Sequence, residues 1–275
     1  MTTLAGLTLP GPVLVAAGCG GTGRELTPYL PGDGLAALGA FVTRSITLDP
    51  RAGDRPPLVT ETPSGLLHAA GQPSPGLEPF LATELPWLAR SGTRVVVSIT
   101  GATLGEQTEL ARRLGRAPGL SAIEVRVSGE PFHAASLVAA VARDLPRGVP
   151  VLAKLRPDLV RVVETARAVL DAGAGALVVG DALPAALPDG RPAGLSGPAI
   201  RPVALRCVTE VCAALPDAQV VGCGGIAAAD DARSFLAAGA VAVQVGTALL
   251  HDPTTAARLV AELIPTPPDS EETAP

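Results

Sequence analysis

Lysine is nearly missing: of 21 lysine and arginine residues, Lys154 alone is a lysine. Phe, Trp and Tyr together make up 2% of the chain, and the formal net charge is −5. Nucleic acid requires a basic footprint and, for single strands, aromatic stacking platforms; the chain has neither, which excludes that partner. Also absent is a cationic leader. The opening residues, MTTLAGLTLPGPV, form an apolar run broken by Pro and Gly, which reads neither as a signal peptide nor as a membrane span. A cytoplasmic location and no membrane partner are therefore expected. Four cysteines (Cys19, Cys207, Cys212, Cys223) show no C-x-x-C spacing. Reduced thiols are expected, with no disulfide framework and no metal site.

What is present is apolar and repetitive. With 47% hydrophobic residues in 275, the chain can bury one long α/β core. Eight runs, Val13–Ala17, Ala40–Ile46, Arg94–Ile99, Ala122–Val127, Val151–Leu155, Ala176–Val179, Val220–Gly222 and Val241–Val245, alternate with helical patterns. Continuous Val/Ile/Ala runs, as opposed to alternation, predict strands covered on both faces of a parallel sheet. Eight such units in about 250 residues predict a single (β/α)8 TIM barrel, an open doubly wound sheet being the alternative. The barrel is expected over residues 1–264, with a short N-terminal hairpin at Leu4–Pro12. Arg24–Leu30 reads as helix, and Thr47–Pro79 and Asp181–Gly197 read as loops. The tail 265–275, PTPPDSEETAP, is expected to be disordered.

One stretch points to a ligand. In 219–250 a β-branched run ends in Gly224-Gly225, an Ala-rich helix follows, and a second strand ends in Gly246-Thr247. Parallel strands joined by a helix bring those ends side by side, where bare N–H groups suit a phosphate. Glycines in tight turns are the plainer reading at either turn alone. Lys154 closes another apolar run, a place for an amine facing an anionic or flavin-like ring. Gly18-Cys-Gly-Gly-Thr-Gly23 matches a dinucleotide fingerprint, but the second run ends in Thr43-Arg44-Ser45 where a ribose-binding acid is required.

The ordered motifs AAGCGGTGRE (16–25), GAFVTRSITLDPRAGDRPP (39–57), ETPSGLLHAAGQPSPG (61–76), ELPWL (84–88), AKLRP (153–157), GLSGPAIRPVALR (194–206), GCGGI (222–226) and QVGTA (244–248) resemble the class 1 dihydroorotate dehydrogenase family, FMN-dependent barrels. The resemblance implies FMN, its phosphate held at Gly197, Gly224, Gly225, Gly246 and Thr247 and its ring approached by Lys154. It extends the cofactor set to Ala17, Gly18, Arg44, Ser45 and Ser98. A homodimer, and in one subgroup an electron-transfer partner subunit, are further implications.

Two departures concern the substrate and the base. Where the family holds orotate with asparagines and a lysine, this chain has Arg44, His68, Ser74, Arg126 and Asp181, with Gly71 beside them. An amide both donates and accepts, whereas arginine only donates and an ionised aspartate only accepts. The added arginines suit an anionic small molecule; an Arg–Asp salt bridge is the plainer account. The family's Cys or Ser base matches Gly129, so replacements are sought at Ser128, Glu130, His133 and His68. Three functions follow: a flavin oxidoreductase with a changed, small anionic substrate; a flavin-binding barrel without turnover; and dihydroorotate oxidation with a displaced base.

Overall fold

The computed structural model describes residues 1–32, 34–69, 71, 73–127 and 129–263; Ser128 and the tail 265–275 lie outside them. In chain order the strands are β1 (Thr2–Leu4), β2 (Leu7–Leu9), β3 (Val13–Val15), β4 (Ala40–Val42), β5 (Val59–Thr62), β6 (Gly65–Ala69), β7 (Val95–Ile99), β8 (Leu120–Val127), β9 (Val151–Leu155), β10 (Ala176–Val179), β11 (Leu183–Ala186), β12 (Pro192–Ser196), β13 (Val220–Cys223) and β14 (Ala242–Val245). The helices are α1 (Leu77–Pro79), continued by a π-helical turn Phe80–Glu84 into α2 (Leu85–Arg90), then α3 (Leu104–Leu114), α4 (Pro131–Asp144), α5 (Val162–Asp171), α6 (Arg201–Ala214), α7 (Ala229–Ala237), α8 (Ala248–His251) and α9 (Thr255–Leu263).

The eight expected core strands close into a parallel barrel in the order β10-β13-β14-β3-β4-β7-β8-β9. Their continuous apolar character has the expected cause. Alternate side chains such as Val95, Val97, Ile123 and Val125 point outward into the layer shared with the helices. The residues between them, among them Leu14, Val96, Ala122, Leu152 and Val178, fill the barrel. The helices face that outer layer with residues at helical spacing: α5 buries Val162, Ala166 and Val169. At the start of α3, Thr103 Oγ1 accepts from Glu106 N at 3.2 Å while the Glu106 carboxylate accepts from Ala102 N at 2.8 Å, a reciprocal cap. The N-terminal hairpin β1–β2 packs Leu4 and Leu9 into the interior cluster, closing the barrel floor.

Three expectations fail locally. Arg24–Leu30 contains a 3-10 turn at Thr27–Tyr29 in place of a helix; Pro28 has no N–H to donate. The stretches 47–79 and 181–197, read as loops, contribute β5, β6, β11 and β12 to an antiparallel sheet of order β11-β12-β6-β5. These strands are short and only partly buried, and the central pair β6–β12 joins residues far apart in the chain, so no local apolar run announced them.

Candidate functional site

Three main-chain turns meet at one end of the barrel. β13 and β14 pair in parallel with Cys223 opposite Gln244, so Gly224-Gly225 and Gly246-Thr247 leave side by side. Gly197, following β12, closes on both. A Cβ on Gly225 would stand 2.8 Å from the Gly197 carbonyl oxygen, and one on Gly197 would stand 3.5 Å from Thr247 Cγ2. The φ angles of Gly197, Gly224 and Gly225 are +91°, +123° and +73°, a region that costs a side chain dearly. Three backbones can therefore come close together at this one point. The head of α6 points there too: Arg201 N lies 2.9 Å from where the Gly225 Cβ would be, adding the positive end of a helix dipole. The Arg201 guanidinium itself is tied to Asp231 at 2.5 Å.

Below this clasp the barrel interior turns polar. Lys154 Nζ donates to Gln244 Oε1 at 2.8 Å, and Gln244 Nε2 donates to Glu124 Oε2 at 2.7 Å. Glu124 Oε1 stands 3.6 Å from Lys154 Nζ and has no hydrogen-bond partner. Burial opposes the ammonium, but attraction to Cys223, Glu124, Asp181 and Cys19, the two thiols acting only once ionised, holds the Lys154 pKa above its usual value. Burial also pushes the Cys19 thiol up to about 12, against the pull of Lys154, and raises Cys223; both are neutral thiols at pH 7. Glu124 is thus the nearest carboxylate that sustains the charge. Gly246 packs against Ala16 and Cys19, each 3.3 Å from its missing Cβ, which brings Ala17 and Gly18 to the same end. Ser45 Oγ and Ser98 Oγ lie 2.9 Å apart at the ends of β4 and β7.

Around the rim, Arg126 and Asp181 form an ion pair, and Asp181 Oδ1 accepts from Ala182 N at 2.8 Å. His68 on β6 sits opposite Gly194 on β12, its Nε2 2.8 Å from where a Gly194 Cβ would be. Burial lowers the His68 pKa, with Asp181 raising and Arg126 lowering it, so these three expected substrate residues share one locality. Arg44 Nε is buried without a hydrogen-bond partner. Gly71 N donates to Asp54 Oδ2 at 2.8 Å, and Ser74 Oγ accepts from Thr47 N at 3.1 Å. Of the proposed bases, Glu130 is paired with Arg161 on the surface and His133 is an exposed residue of α4. Glu124 and Gln244 went unnoticed in the sequence, although a polar residue inside an otherwise apolar barrel strand signals an inward-facing site.

The family model for dihydroorotate dehydrogenase matches residues 1–266. The chain belongs to the dihydroorotate dehydrogenase family. Its relatives there include the catalytic subunit of dihydroorotate dehydrogenase B (NAD(+)) of Desulforudis audaxviator, 44% identical over 94% of this chain and 90% of that protein. The corresponding subunit of Pelobacter propionicus is 41% identical over 91% of this chain and 87% of that protein. In fold, the chain is similar to dihydroorotate dehydrogenase of Eimeria tenella, solved with ferulenol. The TM-score is 0.81 at 20% identity, over 95% of this chain and 82% of that one. As a member of this family the chain is an oxidoreductase of the flavin-dependent dehydrogenase type. Among the described residues no helix is long and apolar enough to cross a membrane, and no group of three or more His, Cys, Asp or Glu is placed to hold a metal.

Proposed function

We propose that this protein is an FMN-dependent oxidoreductase whose substrate is a small anionic compound other than dihydroorotate. The donor set fits the cofactor: the phosphate would lie in the cradle of Gly197, Gly224, Gly225, Gly246 and Thr247, and the ring would extend over Lys154. Ala17, Gly18, Arg44, Ser45 and Ser98 would line it. When bound, the flavin supplies a two-electron acceptor for hydride. The chain's own residues orient the substrate, keep a cation near the ring and take up the proton.

The observation that carries the changed substrate is the Arg126–Asp181 ion pair. It stands where the family resemblance expects two asparagine amides, and the chain contains no asparagine at all. An arginine only donates and an ionised aspartate only accepts, so neither reproduces the combined donor and acceptor that a pyrimidine's amide edge requires. His68 is the best-placed base, because burial keeps its imidazole neutral at pH 7 and able to accept a proton. A second reading, dihydroorotate oxidation with a displaced base, draws on the names of the relatives. Those names also support an electron-transfer partner subunit, and family membership supports a cytoplasmic homodimer.

Anaerobic mixing of the flavin-loaded protein with dihydroorotate separates the two. No bleaching of the flavin absorbance is expected over many minutes; bleaching within seconds would overturn the changed substrate. With a reacting substrate in hand, His68→Gln should slow flavin reduction about 10²–10⁴-fold while flavin content stays normal.

A further inference from the structure

A cleft of about 460 Å³ opens between α3 and α4 at the rim of the barrel. Its polar lining includes Thr100, Thr103, Gln107, Arg126, His133 and Arg156, and no carboxylate is among the described residues that line it. The nearby acids are engaged elsewhere: Glu106 caps α3, Asp181 holds Arg126, and Glu130 holds Arg161. β8 and β9 pair with Val127 opposite Leu155, so Arg126 and Arg156 leave neighbouring strand ends. Asp181 takes the Nε of Arg126, whose side chain remains 46% exposed. The Arg156 guanidinium has no ion pair or hydrogen bond among the described residues; its carbonyl alone is used, accepting from Asp158 N at 2.8 Å.

One guanidinium without an acid beside it and a second whose Nε alone is taken by Asp181, in a cleft of ligand size with no carboxylate in its described lining, are arranged to attract and orient an oxyanion. We propose that this cleft binds a carboxylate or phosphate ester carried by the substrate, with Arg156 as its principal anchor and Arg126 sharing the load. This rests on the reading of the barrel rim as the place of reaction. It locates the anionic group outside the barrel axis, between the helices, where Gln107 and Thr103 supply further polar contacts.

Calorimetric titration of the flavin-loaded full chain with succinate, and separately with inorganic phosphate, tests this. At least one should bind in the millimolar range or tighter, and the stronger of the two identifies the oxyanion. Arg156→Gln should weaken that binding about tenfold to hundredfold, the worth of a charged hydrogen bond. Arg156→Lys should recover part of it, and Arg206→Gln on the remote face of α6 should change nothing. Uptake of neither anion by the wild type, or equal binding by Arg156→Gln, overturns the proposal. Flavin content is read separately by absorbance: a colourless protein that still binds the anion through Arg156 sinks the cofactor reading and leaves this one standing.

Discussion

Lys154 and Glu124 are the two charged side chains fully buried among the described residues, and each is intelligible only through the other. Removing one partner of a buried pair leaves an uncompensated charge, at a cost of about 3–5 kcal/mol. Glu124→Leu should show a loss of that size in urea denaturation, and Glu124→Leu combined with Lys154→Met should recover most of it. Recovery of nothing would mean that Glu124 contributes by packing alone. The pH dependence should change as well. With its pKa raised, Lys154 contributes stability that is fully present below the ordinary lysine value of 10.5 and lost only above it. Glu124→Leu removes one of the attractions that offset burial, so the folded pKa should fall and the high-pH loss of stability should begin at lower pH than in the wild type. His68 runs the opposite way. Its folded pKa lies below 6.5, so the unfolded chain takes up the proton first and stability declines as pH drops from 6.5 toward the folded value. His68→Gln should flatten that part of a melting-temperature profile, while an unaltered slope would assign it to other groups.

The strand-end turns explain why some glycines can be exchanged at modest cost and others cannot. A Cβ at Gly180, after β10, would collide with the Cys223 carbonyl oxygen at a φ of +126°. Gly180→Ala should therefore cost about 3 kcal/mol or more, in the upper range of single substitutions. Gly225→Ala pushes against Arg201 and Gly197 and should show its main effect as a fall in the flavin-to-protein absorbance ratio. A normal ratio there would remove the phosphate from this clasp. The Gly224-Gly225 and Gly246-Thr247 turns were legible in the sequence because each follows a recognisable buried run. The runs were legible in turn because both faces of a barrel strand are covered, so burial leaves its mark on consecutive residues such as Val151–Leu155. β6 and β12 left no such mark. Their pairing sets His68 against Gly194, a contact between residues whose separation in the chain hides it from any local pattern. Arg126–Asp181 was anticipated as one of two outcomes, because complementary charges had replaced a pair of neutral residues. Arg156 passed as part of a motif, since its significance lies in having no acid beside it.

Across the whole molecule, stability is unevenly distributed. The barrel strands are buried along nearly all of their length, whereas the β11-β12-β6-β5 sheet has only a small cluster of its own, Ala69, Leu187 and Ala193, with Leu67 packed on it. It is fastened near the clasp by Ala199 N donating to Ser64 O at 2.8 Å and Ser196 Oγ donating to Leu66 O at 3.2 Å. That sheet carries His68 and leads directly into Gly197, so a ligand seated in the clasp would brace the least supported part of the fold. Flavin at about one hundred times its dissociation constant should add about 2.7 kcal/mol to unfolding by mass action. Hydrogen exchange on the flavin-depleted protein should accelerate in 59–69 and 183–196, while β7 and β9 stay protected. Equal acceleration in β7 would show that the cofactor stabilises the barrel as a unit. No change in the sheet would mean that the clasp and the segment bearing His68 are mechanically independent, and the proposed base would then lack the means to be set in place by cofactor binding.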